Sequence, residues 1–460
     1  MKDRAGFNLN VQWEGRPVSG PGDSVGRRRL QILILAALGG TQSTGVAHPI
    51  IDPDTAQLFS TLEPACHLPE DGGTYILTSM DDFCPDAILS RIPALFGMTK
   101  LLSDLDHPQH VAAATDILTR QLELTPSPEP EANARPPEDE GVEAESLMAG
   151  LMDGPVRSGG VLSRSSSHSM IDRMVSDAVE GHRRHPEQAS TARARQAGRN
   201  RLSDHLRRII RSPGFRSLES SWRGIQFLID RLDFDPDDFA LHVIDLPREE
   251  LEILLEEQDV SSHPLFLSLQ GKALEEPGGY PWDIVCCLYS PAGNARLLKG
   301  LSRVFPSTGP LFIAGTGFPE TEAGASNPPF ETRPHCRLLL ATPRVILRYP
   351  YGKATNEIDT FPFEEITPAS FKHEDLLWGS GALAATRAAA GMRLGETADT
   401  ALTLEDLPMV IRPGNGPSPS LTPCAEQCTP YPDVERLMAK GLTVLLSVRD
   451  RNIIRIAGLQ

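Results

Sequence analysis

An acidic, proline-rich stretch interrupts the chain and limits what it can fold into. From Pro126 to Gly160, prolines are interleaved with glutamates and aspartates, and apolar side chains are few. Such a stretch cannot bury enough apolar surface to offset the conformational entropy lost on ordering. We therefore expect two folded domains, at residues 1–125 and 170–460, joined by a linker over residues 126–169 that becomes serine-rich towards its end.

Apolar patterning on both sides of this linker predicts a mixture of strands and helices. In the N-terminal domain, Ile32–Leu35 and residues 74–77 are typical of strands, and residues 85–102 and 110–122 have helical spacing. In the C-terminal domain, strands are predicted at 240–246, 264–269, 282–289, 310–314 and 337–340, and helices at 202–210, 222–230, 248–257 and 292–305. The fold class is therefore α/β (α+β), with a small N-terminal α/β domain and a larger mixed-sheet α/β domain.

The two ends of the chain have strand patterns of their own. Residues 7–13 alternate apolar and polar side chains, which predicts a half-buried strand that could lie on a sheet edge. Residues 442–448 and 452–456 are apolar runs on either side of Arg449-Asp450-Arg451. This arrangement predicts a C-terminal β-hairpin.

Charge and composition exclude several classes of partner. The formal net charge of −17 argues against nucleic acid, because neutralising phosphates requires a basic surface. Residues 170–211 are locally basic, but their apolar side chains keep helical spacing. This favours a helix with a basic solvated face, directed at an acidic surface of a neighbouring subunit, over a nucleic-acid arm.

Cysteine usage and hydropathy indicate a protein of a reducing cytoplasm. The seven cysteines are an odd number without disulfide-like spacing, which fits a reducing compartment. Arg27–Arg29 and the apolar run after them resemble an export signal, but the run is far shorter than the ~20 residues of a membrane span. We expect no direct membrane insertion.

No catalytic, cofactor or metal site is expected from the motifs. The sequence lacks a P-loop, and Gly315-Thr316-Gly317 is only half of a dinucleotide fingerprint. Cys424 and Cys428 have no second pair at zinc-finger spacing, and Cys286-Cys287 lies in an apolar run where cysteine is usually a small buried hydrophobe. The chain is therefore expected not to be an enzyme. The competing hypothesis of an α/β enzyme predicts a deep pocket with convergent titratable groups.

The stretch from Phe215 to Gly224, FRSLESSWRG, carries the first family resemblance. It resembles the F-x-x-L-E-x-x-W-R-G-L signature of the large sheath subunit of type VI secretion systems, the TssC/ImpC/VipB family. As a helix it would bury one face, while an acid and an arginine four residues apart could pair on the other. The matching residues are Phe215, Leu218, Glu219, Trp222, Arg223 and Gly224.

A second block of motifs follows in the family's order. Residues 343–352 are similar to P-R-x-x-x-R-x-P-Y-G, residues 361–365 to F-x-F-E-E, and residues 376–379 to Y-L-W-G. Both blocks are expected to be structural. The matching residues here are Arg348, Pro350, Tyr351, Gly352, Phe361, Phe363, Glu364 and Trp378.

The N-terminal domain resembles a different sheath subunit. Residues 81–86, DDFCPD, are similar to the L-D-D-F-x-P-D motif of the small subunit, the TssB/ImpB/VipA family, with Met80 in place of the leucine. The matching residues singled out are Asp82, Phe83, Pro85 and Asp86. The chain is therefore expected to be a small and a large sheath subunit joined in one polypeptide.

This resemblance implies a structural role in a helical sheath whose contraction propels an inner tube. Subunits of the family join by strand addition, with the baseplate, the inner tube protein and a possible separate small subunit as further partners. The strands expected to join subunits carry Phe7, Leu9, Val11 and Trp13 at one end and Leu442, Val444, Leu446, Ile454 and Ile456 at the other. The alternative is a non-polymerising adaptor or cap that has the sheath fold and regulates sheath assembly.

A short amphipathic segment in the linker has two possible roles. Leu147, Met148, Leu151 and Met152 would share one face of a helix. In the family, a helix at a comparable place is recognised by a ClpV-type AAA+ ATPase that recycles contracted sheaths. The other possibility is that the helix only packs back on the domain.

Overall fold

The computed structural model describes residues 28–40, 47–50, 55–68, 73–123, 164–232, 235, 237–256, 281–289, 309–318, 337–394, 403–412 and 420–458. These residues belong to two compact units, Met1–Ile88 with His205–Gln460 and Leu89–Asp204. The strand predicted at 7–13, the amphipathic segment at 147–152, the strand at 264–269 and the helix at 292–305 lie outside the described residues. The domain boundaries expected from the sequence, at residues 125 and 170, stay a prediction.

A nine-stranded mixed sheet is the centre of the first unit. Its strand order is β2-β5-β1-β6-β7-β8-β12-β13-β9. The strands from β5 to β12 in this order are parallel, and β2, β13 and β9 each pair antiparallel with a neighbour. The bounds are β1 Leu30–Ala36, β2 His48–Ile50, β5 Phe239–Asp245, β6 Ile284–Cys287, β7 Leu311–Gly315, β8 Leu338–Thr342, β9 Thr403–Leu404, β12 Leu442–Ser447 and β13 Ile454–Ala457. The mixed α/β class is confirmed.

Strand β1 is central because it is apolar on both faces. Leu33 and Leu35 join a core cluster on one face, and Ile32 and Ile34, which point to the opposite face, are fully buried as well. A continuous apolar run is typical of a parallel strand covered by helices on both sides. The strand is hydrogen-bonded to β5 along its whole length and to β6 at residues 32–35.

Nine helices cover the sheet and form the second unit within the described residues. Leu251, Val434 and Leu437 pack on the same cluster as Leu33 and Leu35, so α7 and α9 cover that face. Helix α8 packs against α6, β6 and β7. The bounds are α1 Ala56–Leu62, α2 Pro85–Arg91, α3 Pro93–Asp104, α4 Val111–Gln121, α5 Arg164–Arg211, α6 Pro213–Arg231, α7 Arg248–Glu256, α8 Gly381–Leu394 and α9 Tyr431–Ala439.

Prolines and short ribbons account for the remaining local structure. The single helix predicted at 85–102 is wrong, because Ile92 is extended (φ −90°, ψ 113°) and Pro93 begins a new helix; proline disfavours the helical conformation in the residue before it. Two-stranded ribbons are formed by β3 Ala65–His67 with β4 Thr74–Ile76, and by β10 Ile411–Arg412 with β11 Ser420–Leu421. Short 3-10 helices span Met80–Phe83 and His373–Leu376.

The second unit is a helical layer in which α3 and α4 pack on α5. A Cβ at Gly198 would lie 2.8 Å from Cδ2 of Leu102, so the glycine allows this leucine to pack directly against the backbone of α5. Arg195 adds an ion pair to Asp106 at 2.6 Å and a hydrogen bond to the carbonyl of Leu105. No helix in the described part of the chain is both long and apolar enough to cross a membrane.

Candidate functional site

The first family motif lies on α6, which begins at Pro213 after an extended Ser212. Proline suits the first position of a helix because its missing N–H would have no partner there. The apolar side chains of the motif face the core, and Trp222 stacks on Phe59 with ring centroids 3.7 Å apart. Its indole N–H donates to the carbonyl of Leu38 at 3.2 Å. The buried residues of α6 are Phe215, Leu218, Glu219, Ser221, Trp222, Gly224, Ile225, Leu228 and Ile229.

A buried arginine joins the two motif blocks. Arg348 donates from Nε to Oε1 of Glu219 at 2.8 Å and from Nη1 to Oε2 of Glu365 at 2.8 Å. The side chains are 9%, 1% and 4% exposed for Arg348, Glu219 and Glu365, respectively. The guanidinium also lies over the rings of Tyr351 and Trp378, at 4.6 and 5.6 Å from their centroids. One cation thus connects α6 with three segments of the second block.

The opposite charges of Glu219 and Arg348 favour each other's ionised form. Burial alone would raise the pKa of Glu219, but Arg348 and Arg223 outweigh it, and the pKa lies below the ordinary value of 4.5. Burial likewise opposes the charge of Arg348, and Glu219 with Glu365 keeps its pKa well above the usual range. Arg223 donates to Glu219 at 2.6 Å, as their spacing of four residues predicts, and to the hydroxyl of Tyr351 at 3.1 Å.

The lowered pKa of Glu219 predicts that the folded chain becomes less stable in acid. A carboxylate whose pKa is lower in the folded chain contributes stability above its unfolded pKa, and loses it as the pH falls through the folded pKa. We expect the free energy of unfolding to fall below about pH 4.5, and Glu219→Gln to make this dependence shallower while lowering stability at neutral pH. Urea unfolding of both chains between about pH 3 and pH 7 tests this; parallel profiles would contradict it. Asp245, whose pKa is raised by burial, has the opposite slope but is common to both chains.

Of the two carboxylates in the F-x-F-E-E motif, Glu365 joins this network and Glu364 does not. Glu364 is exposed, and its Oε1 accepts only a backbone hydrogen bond from Lys353, at 3.1 Å, among the contacts of the described residues. Glu365 is buried and also accepts from the backbone N–H of Tyr351 at 2.8 Å. The signal was available: in an extended segment, Phe361, Phe363 and Glu365 share one face, and all three are buried.

Three arginines that sequence reasoning did not single out hold the irregular segment around this network. Arg207 donates to the carbonyl of Glu364 at 2.7 Å, and Arg211 to that of Glu365 at 2.9 Å. Arg216 donates to the carbonyls of Glu374 and Leu377 at 2.6 and 2.9 Å. The basic stretch at 170–211 was predicted to have a solvated face. At its C-terminal end, its arginines instead donate to main-chain carbonyls. Carbonyls outside regular structure need such donors when they are partly buried.

The small-subunit-like motif packs against the same segment. Asp82 is buried and accepts from the backbone of Thr78 and Ser79, and Phe83 meets Phe215 edge to face at 5.6 Å. The carboxylate of Asp86 accepts from the backbone N–H groups of Asp359 and Thr360 at 3.0 and 3.1 Å. Pro85 is the first residue of α2. The structure therefore brings the small-subunit-like motif into contact with the second block of motifs.

The glycines of the motifs lie where neighbouring side chains approach closely, and the aromatic residues of the F-x-F-E-E motif are buried. A Cβ at Gly224 would lie 3.0 Å from Cδ1 of Leu288, and one at Gly352 would lie 2.3 Å from Oε2 of Glu364. Pro350, Phe361 and Phe363 are buried. These residues have packing roles.

The predicted subunit-joining strands fall into three groups. The N-terminal strand, with Phe7, Leu9, Val11 and Trp13, lies outside the described residues. The predicted ATPase-recognition helix, with Leu147, Met148, Leu151 and Met152, lies outside them as well. Leu442, Val444 and Leu446 lie on β12, which is paired on one side with β8 and on the other with β13. Ile454 and Ile456 lie on β13, whose outer side pairs with β9 at Ile454 and Arg455. The hairpin is therefore part of the chain's own sheet.

Backbone donors at the carboxyl end of β1 are taken by the chain itself. In open α/β sheets, anionic ligands bind where the strand order reverses, and β1 lies between β5 and β6. Here Asp245 accepts from the N–H groups of Leu38 and Gly40 at 2.6 and 2.8 Å. In Gly315-Thr316-Gly317, the partial dinucleotide-binding motif, a Cβ on Gly315 would lie 2.8 Å from the backbone nitrogen of Ser380. Neither place leaves room for a phosphate among the described atoms.

Metal-ligating side chains do not converge in the described part of the chain. No group of three or more histidine, cysteine or acidic side chains there could hold a metal ion. Cys424 is buried and Cys428 exposed, and burial raises the pKa of the Cys424 thiol to about 11. A groove with a volume of about 480 Å³ lies on the outer side of α6.

Comparisons with known proteins match the region of the first motif. The family model VipB, described as EvpB/VC_A0108, tail sheath N-terminal domain, matches residues 199–307. The chain is also similar to the type VI secretion system sheath protein TssC1 of Pseudomonas aeruginosa, with 25% identity over 195 residues. This match covers 36% of the present chain and 39% of the relative.

Proposed function

We propose that this chain, a member of the large-subunit family of type VI secretion sheath proteins, is a non-enzymatic building block of a contractile sheath in the bacterial cytoplasm. The observation that carries the proposal is the match over residues 199–307, which contains α6 with its buried motif. The Arg348 network supports it, since it ties that motif to the second block by buried ion pairs. Both blocks then serve the packing of a subunit.

The small-subunit-like segment belongs to the same proposal. Its motif contacts the second block through Asp86, and its strand β1 lies within the main sheet. These contacts support a single polypeptide that does the work of two sheath subunits.

Assembly is proposed to occur by strand addition. The segment at residues 7–13 would add to a sheet edge of a neighbouring copy, and repetition of this heterologous contact would produce a helical tube. Contraction would propel an inner tube from a baseplate, and a ClpV-type ATPase would recycle the sheath by recognising residues 147–152. A separate small subunit could complete the assembly.

One observation favours the second candidate, a non-polymerising adaptor or cap. Within the described residues, the outer strands of the sheet are short: β2 has 3 residues and β9 has 2. Short edge strands are a common means of preventing strand addition. An adaptor would have the sheath fold but would bind a sheath without extending it.

Electron microscopy of the purified chain separates these two functions. Regular tubules, formed alone or with proteins encoded beside it, are expected for the sheath subunit. Monomers or small rings under all conditions would instead support the adaptor.

Deleting residues 1–14 is expected to abolish tubules and leave a folded chain, because the first strand of the described sheet, β1, begins only at Leu30. Sedimentation velocity and circular dichroism measure the two effects. The matched control is Arg412→Ala, which alters an exposed side chain outside the proposed contact. Tubules formed by the shortened chain would refute strand addition by the N-terminal segment.

A further inference from the structure

In the second unit, helix α5 has one buried side and one exposed side. Ala194, Gly198 and Leu202, spaced four residues apart, are buried. The side chains of Leu102 and Leu118 approach Gly198 closely. On a helix of 3.6 residues per turn, the exposed side includes four polar residues within about 140° of arc. This α5 strip consists of Arg193, Gln196, Asn200 and Arg201.

The two arginines of the α5 strip have no acidic partner in the described part of the chain. Arg195, on the buried side of the helix, does have one, since it pairs with Asp106 at 2.6 Å. Arg193 and Arg201 lie about 12 Å apart along the helix axis. The chain as a whole has a formal net charge of −17, so the strip is complementary to acidic surface on another copy.

The groove on the outer side of α6 has acidic side chains at its rim. It lies within the first unit and has a volume of about 480 Å³. Asp230 and Asp406 line it, and both are exposed. Asp230 accepts from the side chain of Gln226 at 2.7 Å, and Asp406 accepts from that of Asn452 at 3.2 Å. Among the described residues, these two rim acids are thus bound by amides and not by cations.

The arginines that line the groove do not neutralise the rim acids. Arg223 and Arg348 already pair with the buried carboxylates of the network. Arg231 donates to the main-chain carbonyl of Asp406 at 2.8 Å and lies over the ring of Phe227. Within the described residues, two exposed carboxylates therefore outnumber the one arginine of the lining that has no carboxylate partner. The rim is negative on balance.

An exposed aromatic ring gives the groove a second means of binding a cation. Tyr349 lines the groove and is 47% exposed. The face of a tyrosine ring attracts a cation, and arginine is the side chain that most often lies over aromatic rings. The chain forms this contact in its core, where Arg348 lies 4.6 Å from the ring centroid of Tyr351. A ring beside carboxylates therefore fits an arginine of a partner.

We propose that the α5 strip of one copy docks on the groove of a second copy. A guanidinium from Arg193 or Arg201 would lie on the ring of Tyr349. The two arginines would pair with the rim acids, Asp230 and Asp406. Because the two surfaces differ, the contact is heterologous and can repeat from copy to copy.

This inference rests on the proposed self-assembly and adds a charged contact to strand addition. Ion pairs between exposed side chains are individually weak, because water and salt screen them. The contact is therefore expected to guide the orientation of neighbouring copies and to weaken as the salt concentration rises.

Reversing the charge on either surface tests the contact by sedimentation velocity of the full chain. One variant combines Asp230→Lys with Asp406→Lys, and the other combines Arg193→Glu with Arg201→Glu. Each variant alone should self-associate at least about fivefold more weakly at about 50 mM salt, because like charges then meet. In an equimolar mixture, the acidic strip of one variant meets the basic groove of the other. Association should then return to that of the unaltered chain.

Arg449→Glu combined with Arg451→Glu is the matched control. These two arginines lie between β12 and β13, are exposed, and do not line the groove. The control changes the net charge as much as the α5 variant does, and it should associate like the unaltered chain. Circular dichroism shows that each variant is folded.

Four results would overturn the inference. Variants that associate as strongly as the unaltered chain would show that other contacts hold the copies together, and the sheath role would still stand. Folded variants whose mixture does not regain association would exclude docking between copies. A control that weakens as much as the α5 variant would reduce the effect to overall charge. An unaltered chain that stays monomeric at low salt would also overturn the inference, whereas tubules formed with other proteins would still support the sheath role.

Discussion

Replacing Arg348 with methionine is expected to lower the free energy of unfolding by about 3–5 kcal/mol. The substitution keeps most of the side-chain volume but leaves Glu219 and Glu365 buried without their shared cation. An uncompensated buried charge costs far more than the ion pair contributed, because both carboxylates were already removed from water. Arg223 remains as a partner for Glu219. The carboxylate left without its cation is therefore mainly that of Glu365. Urea unfolding followed by circular dichroism measures the difference.

Two further variants separate lost charge from lost packing. Arg348→Met combined with Glu365→Gln removes the charge that the single variant leaves without its cation, and is expected to recover part of the loss. Arg412→Met removes an exposed arginine that lies over an aromatic ring, and should change stability by about 0.5 kcal/mol or less. If Arg348→Met were as mild as Arg412→Met, the network would not be a structural centre.

Local patterns predicted most of the secondary structure, because apolar spacing reports burial directly. The run Ile32–Leu35 indicated a buried strand, and the hairpin at 442–456 is formed by β12 and β13. Strand order could not be predicted in this way. Nothing in the spacing of β1 shows that it pairs with β5 and β6, which are far away in the sequence. Long-range pairing depends on which apolar faces meet, and many faces look alike.

In the site, too, contacts within one helix could be predicted from the sequence, and contacts between separate segments could not. The pair of Glu219 and Arg223 could be predicted, since residues four apart on a helix are neighbours. The role of Arg348 could not, because its two carboxylates come from separate segments. Arg207 and Arg211 looked like solvated charges because each donates hydrogen bonds to backbone carbonyls, which leave no trace in the sequence. Arginines that bind the main chain are thus the least visible part of such a site.

We expect the contacts between the N-terminal segment and the rest of the first unit to hold without a covalent link. Ile32, Leu33, Ile34 and Leu35 are fully buried between β5 and β6. At about 1.5–3 kcal/mol for each large apolar side chain, their burial amounts to roughly 6–12 kcal/mol. A 1 µM dissociation constant corresponds to about 8 kcal/mol. Because association itself costs roughly 4–15 kcal/mol, these four side chains would not be sufficient without further contacts. The stacked Phe59 and Trp222, and Asp86 with its two backbone donors, add to this attraction.

Cutting the chain within the acidic stretch is therefore expected to leave the two fragments bound. A protease site inserted between Pro137 and Glu138 allows cleavage after the chain has folded. The fragments should co-elute from gel filtration at about 1 µM and separate only in denaturant. The uncut chain carrying the same insertion gives the reference elution volume. Strand β1 cannot leave the sheet without exposing the inner edges of β5 and β6, so release should require unfolding of the unit. Fragments that separate in native buffer would show that the N-terminal segment is held by its tether, and that the two subunit-like parts are not an interlocked pair.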